Sequence, residues 1–117
     1  MKIGPDNILV VIAEDCSDET VQHWYEYSMA DMFMYKGPTK ILYDIRLLNT
    51  ISMNAVRKAI KLRRHPNAEM AYVAVLTTSN TVKALVNVAL SVNAGGRSTT
   101  FTDEETAVQW LHTQVPD

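Results

Sequence analysis

The 117-residue chain has a single cysteine, only four glycines and no excess of charge of either sign. With Cys16 alone, no disulfide closes within the chain and no cysteine-based zinc site can form; a lone thiol also fits a reducing compartment. Gly95-Gly96 is too short for a dinucleotide loop and follows a helical stretch instead of joining a strand to a helix. A Walker-type loop and a Gly-x-Ser-x-Gly elbow are both missing. Eleven Lys and Arg against thirteen Asp and Glu leave a net charge of -2, which exerts no pull toward nucleic acid or an anionic membrane. His23, His65 and His112 lie outside helical reach of one another, so no metal set is expected and no cofactor is implied. Cys16 sits in a strand-to-helix loop with no base spaced to activate it and reads as an incidental thiol. The N-terminal stretch lacks the apolar run of a signal peptide. Lys83, Asn87, Ser91 and Asn93 interrupt the longest apolar helix, so no membrane span is expected and the location read from the sequence is cytoplasmic.

Hydrophobic residues make up 47% of the chain, enough for one core without staples, and residues 1–117 read as a single domain. Four times an apolar strand pattern gives way to a helical one. The strands are predicted near 8–13, 40–46, 70–76 and 98–101, and the helices over 18–35, 53–64, 81–93 and from 102 onward. Strands separated by crossover helices run parallel and need helices to cover them. The expectation is therefore an α/β fold with a four-stranded, mainly parallel sheet and four alternating helices. Ser17 or Asp18, Ser52 and the hydroxyls of Thr77-Thr-Ser79 are predicted helix caps. Thr102-Asp-Glu-Glu105 reads as a reciprocal capping box. Val56, Ala59, Ile60 and Arg63 share one side of the second helix, and Arg57, Lys61 and Arg64 share another that reads as a solvated basic face.

The apolar residues exceed what a sheet can cover. Trp24 to Tyr35 holds three tyrosines, one tryptophan, one phenylalanine and three methionines. One helix face cannot bury all of these, and the nearly all-round apolar third helix makes the same demand. The cover is a neighbouring helix, a second copy of the chain in a homodimer, or a lipophilic ligand. Trp24, Tyr25, Met29, Met32 and Phe33 mark that surface. Methionine's flexibility suits an adaptable pocket.

Three segments, Ile41-Leu-Tyr-Asp-Ile-Arg46, Tyr72-Val-Ala-Val-Leu76 and Phe101-Thr-Asp-Glu-Glu-Thr-Ala-Val-Gln-Trp-Leu111, resemble the SpoIIAA-like fold, which includes the STAS domains of anti-sigma-factor antagonists. The likeness covers nearly the whole chain and is closest to small stand-alone bacterial STAS-like proteins. The resemblance implies a non-enzymatic regulatory protein. Its partner would be another protein, such as a regulatory kinase or an anti-sigma-like factor. Docking would use the strand-to-helix loops and the second helix, through Arg46, Asn49, Ser52, Thr78 and Ser79, flanked by Arg57. Phosphorylation-switched antagonists carry an Asp-Ser-Ser-Gly-like motif where the second helix begins. Here the stretch reads Thr50-Ile-Ser-Met-Asn-Ala-Val56, without the glycine or the Asp-Ser pair, so Ser52 is expected to serve mainly as a helix cap. The alternative function is a carrier or sensor of a lipophilic small molecule held beneath the aromatic-methionine helix.

Overall fold

The computed structural model describes residues 2–3, 8–91 and 97–115. Its strands are β1 (Lys2–Ile3), β2 (Ile8–Ile12), β3 (Thr39–Asp44), β4 (Ala71–Leu76) and β5 (Ser98–Phe101), lying side by side in chain order. The pairings β2–β3, β3–β4 and β4–β5 are parallel. The two-residue β1 adds an antiparallel edge that the periodicity did not announce, because so short a strand has no alternation to read.

The helices are α1 (Asp18–Phe33), α2 (Met53–Arg63), α3 (Asn80–Leu90) and α4 (Glu104–Gln114). Because β2 to β5 advance in one direction, right-handed crossovers place α1, α2 and α3 on the same face of the sheet. Helix α4 covers the opposite face. Register lines up the rows that each side sees. Leu9, Ile41 and Val73 form one row and Val11, Tyr43 and Val75 the next, both toward α1–α3. Val10, Leu42 and Ala74 form a row toward α4. On that second side Ala74, Leu76, Ala107 and Leu111 are fully buried, the two alanines letting helix and sheet approach closely.

Ser17, Ser52 and Ser79 cap α1, α2 and α3, each accepting a backbone N–H three residues on. The capping box at α4 is a correction. Asp103 is the cap: its carboxylate accepts the Thr106 N–H at 2.9 Å and the Thr106 hydroxyl at 2.8 Å. Aspartate outranks threonine as an N-cap and adds negative charge at the positive end of the helix. A 3-10 turn over Pro66–Met70 follows α2, where only a helix stop was expected; His65 caps it through Nδ1, which accepts the Asn67 N–H at 3.0 Å. Helix α1 ends at Phe33, before the Gly37-Pro38 stop, as the Met34 N–H bonds back to the Asp31 carbonyl and tightens the last turn. Helix α3 ends at Leu90 with Ser91 as its cap, short of the expected Asn93; the expected closure at Ala94-Gly95-Gly96 lies outside the described residues.

The all-round apolar character of α3 is met by the sheet, which buries Val82, Val86 and Ala89, and by α2 at its flank. Val88 stays exposed. Helix α2 stands between α1 and α3, so those two apolar helices do not cover each other. Within the described residues no helix is long and apolar enough to cross a membrane.

Candidate functional site

Two places in the molecule gather chemistry-bearing side chains. The first is the rim at the carboxyl ends of the parallel strands, where ligands bind in open α/β sheets. The loops after β3 and β4 meet there: the Ser79 hydroxyl donates to the Asn49 carbonyl at 3.5 Å while accepting the Val82 N–H. Ser52 stands at the start of α2, its hydroxyl accepting the Ala55 N–H at 3.1 Å. Cys16, from the loop after β2, lies against Ser52. Thr78, in the β4–α3 loop, and Arg57, near the start of α2, are both exposed. Arg46 clamps Asp44, its Nε 2.9 Å from one carboxylate oxygen and a terminal nitrogen 2.7 Å from the other. This bidentate grip holds the Asp44 carboxyl below its ordinary range and raises the Arg46 guanidinium. The structure thus joins Asn49 to Ser79 and spends Arg46 on its own strand.

The second place lies beneath α1. Helix α4 lies close against the strands, whereas α1 makes its main contacts with α2 and the 3-10 turn. Between α1, α2, α3 and the sheet lies a cavity of about 630 Å³, within the range of small-molecule sites. Its walls are largely apolar, with Val11, Trp24, Ile45, Ile51, Val75 and Val86 among them. Tyr43 rises from β3 into this space and meets Trp24 edge to face, ring centres 6.2 Å apart. Burial pushes the Tyr43 hydroxyl above its ordinary range, against the pull of Trp24 and Ser28 beside it. The Tyr35 hydroxyl is raised as well, by burial first and then by Asp31, to which it donates a hydrogen bond. Arg63, only 6% exposed, also lines the cavity. Its guanidinium is pulled below its ordinary value by burial and by neighbouring Arg97.

The five residues expected to mark an apolar surface separate. Trp24 and Met32 line the cavity. Tyr25 lies under the Lys58 ammonium, 4.6 Å from its ring centre, and Met29 packs with Met32, Leu62 and Ala68. Phe33 is 70% exposed and caps the His65 ring edge to face. Sequence reasoning did not single out Tyr43 or Arg63 as functional. The helical spacing had placed Arg63 with Val56 and Ala59, the signal that a cation faces inward. Among the described residues no group of three potential metal ligands comes together.

A search of curated proteins gives no match. Among solved structures, the RsbS protein of Moorella thermoacetica, determined as a serine-to-glutamate variant, superposes with a TM-score of 0.72 over 96% of this chain and 93% of that one. The two are 17% identical, a likeness that shows a shared fold. The SpoIIAA-like family profile matches residues 8–112, from β2 to the last turns of α4. The parallel sheet and its four helices are those of the SpoIIAA and STAS fold, and the chain belongs to the SpoIIAA-like family.

Proposed function

We propose that this chain is a single-domain, cytoplasmic, non-enzymatic regulator that docks a protein partner through its strand-end loops, in the manner of anti-sigma-factor antagonists but without their phosphorylation switch. The observation that carries the reading is the convergence of the β3–α2 and β4–α3 loops, tied by the Ser79–Asn49 bond, with Thr78 in one of these loops and Arg57 in the early part of α2 both exposed. A loop pair joined by a side-chain-to-backbone bond presents a more fixed surface, which lowers the ordering cost of association. The partner would be a protein such as a regulatory kinase or an anti-sigma-like factor. Affinity purification of the tagged chain from its native cell, beside the Thr78→Arg and Arg57→Glu variants, tests this. A stoichiometric partner that binds the purified wild type and is weakened at least tenfold by both substitutions supports it. A partner indifferent to both rejects this surface.

The second reading is a carrier or sensor of a lipophilic small molecule. The cavity of about 630 Å³ favours it, because a largely apolar recess of this size falls within the range of small-molecule sites. Native mass spectrometry of the gently purified protein tests it: a retained apolar mass supports the carrier, and a bare chain in every preparation argues for docking alone.

A further inference from the structure

The net charge of -2 hides a strong segregation along the chain. From Ile45 to Thr102 the sequence carries eight Lys and Arg against one acid, Glu69, while the remainder carries three against twelve. Helix α2 concentrates the excess and holds no acid at all. The first turns of α1 and α4 carry Asp18, Glu19, Glu104 and Glu105, as the helix dipole favours; the first turn of α2 carries none. On α2 the core side buries Val56, Leu62 and Arg63, and Arg57, Lys61 and the cap Arg64 are exposed. Spaced by four and three residues, these three form one outward stripe with a rise of about 10 Å. Among the described residues no carboxylate lies within ion-pair distance of any of them. Like charges at these spacings destabilise a helix. The dipole at the C-terminal end offsets this for Lys61 and Arg64, but not for Arg57 in the second turn.

We propose that the stripe Arg57, Lys61 and Arg64 docks an acidic helical segment of a partner protein, its carboxylates facing the three cations over two turns. This rests on the docking reading and names the chemistry of the partner. Guanidinium forks match carboxylates in two parallel bonds, and exposed complementary charge speeds encounter and fixes register. The partner's acids would also relieve the repulsion within α2. The surroundings favour a compact segment over an extended polyanion. Asp18 stands beside the start of α2, its carboxylate accepting the Asn54 amide at 3.2 Å, with Glu19 in the same turn of α1. A nucleic acid or an anionic bilayer would reach past the stripe onto these acids. With a screening length of about 8 Å, a segment confined to the stripe meets less of that repulsion.

The experiment is fluorescence anisotropy of the full chain, at low salt, with an alanine-based helical peptide bearing one glutamate face and the same peptide bearing glutamine. A labelled single-stranded oligonucleotide of equal charge, and cosedimentation with phosphatidylglycerol vesicles, provide the polyanion arms. The expected result is the glutamate peptide binding at least tenfold tighter than the glutamine peptide, with the difference shrinking as salt rises. Arg57→Gln with Lys61→Gln should abolish the difference. Lys36→Gln with Lys83→Gln removes the same charge from exposed positions elsewhere, Lys83 bordering the β5–α4 loop, and should preserve it. Circular dichroism melting checks that each variant is folded, and the wild-type comparison of probes stands even where a variant is not. Equal binding of the two peptides, or binding of neither, overturns the acidic-segment assignment. So does an equal loss in both variant pairs, which would mark net charge instead of the stripe. Tighter binding of the oligonucleotide or the vesicles overturns it in favour of a polyanion surface. The docking reading fails separately, when a native partner ignores Thr78→Arg, a position outside the stripe.

Discussion

The Cys16 sulfur lies 3.7 Å from the Ser52 hydroxyl and accepts the Ser52 backbone N–H at 3.5 Å, so two strand-end loops lock together where the second helix begins. Ser52 is doubly occupied, as the cap of α2 through the Ala55 N–H and as the neighbour of the thiol. Phosphorylation would have to break both contacts before gaining from the helix dipole. Intact-mass analysis of protein from the native cell is expected to show Ser52 unmodified, and stoichiometric phosphoserine there would overturn this. Ser52→Ala should lower stability by about 1 kcal/mol, the ordinary worth of a cap, read as a shift in the urea midpoint.

At the last helix the two candidate caps give opposite expectations. Asp103→Ala should shift the melting temperature downward, while Thr102→Ala should leave it unchanged. The Asp103 carboxyl is held below its ordinary value of 3.8 by the Thr106 backbone N–H first and the Thr106 hydroxyl second. A depressed carboxyl contributes stability that is present above its unfolded value and lost as pH falls through the folded one. The difference between wild type and Asp103→Asn should therefore be largest above about pH 4 and shrink in stronger acid. A difference that grows on acidification would mean the carboxylate is not the cap.

The two faces of β4 provide a matched test of packing. Ala74 is fully buried under α4, and Ala71 lines the cavity on the other side. Ala74→Val should cost about 1–3 kcal/mol by overpacking, whereas Ala71→Val has room to turn into and should fall within about 0.5 kcal/mol of wild type. On the close-packed side, Leu111→Ala should cost about 2–5 kcal/mol. Equal losses at Ala71 and Ala74 would show that the cavity closes in solution.

That contrast also marks the limit of the sequence. Runs such as Ile8 to Ile12 and Ala71 to Leu76 carry their own evidence, because only a buried strand has so many β-branched and small apolar residues in a row, and the strand positions came out within a residue or two. The serine cap of α2 was legible for a similar local reason, whereas at α1 and α3 the sequence offered a choice of caps that the structure resolves to Ser17 and Ser79. The cavity was not, since it depends on how far α1 stands from β2 and β3. The surplus around Trp24 showed that extra cover was needed; only three-dimensional placement divides it into Met29 packed beside Leu62, Trp24 at the cavity wall and Phe33 outside. Arg63 shows the same limit. Its spacing put it on the covered side, but its meaning depends on Tyr43 and Arg97, which are distant in the chain.

The remaining apolar surface bears on association. Tyr27 on α1 and Met34, the residue that caps its C-terminal end, are seven residues apart and 47% and 72% exposed, with exposed Ala30 between them at helical spacing. A self-complementary stripe of this kind is usually met by a twofold partner, and we propose that two copies pair through it. A stable pair needs roughly 1,200 Å² of total buried surface, so the stripe would have to recruit Phe33 and neighbouring side chains. Methionine and tyrosine at its centre match the composition of interface cores. Light scattering across a hundredfold range of concentration should show the mass rising toward two chains, and Tyr27→Glu with Met34→Glu should hold it at one. A wild-type mass that stays at one chain at the highest concentration rejects the dimer.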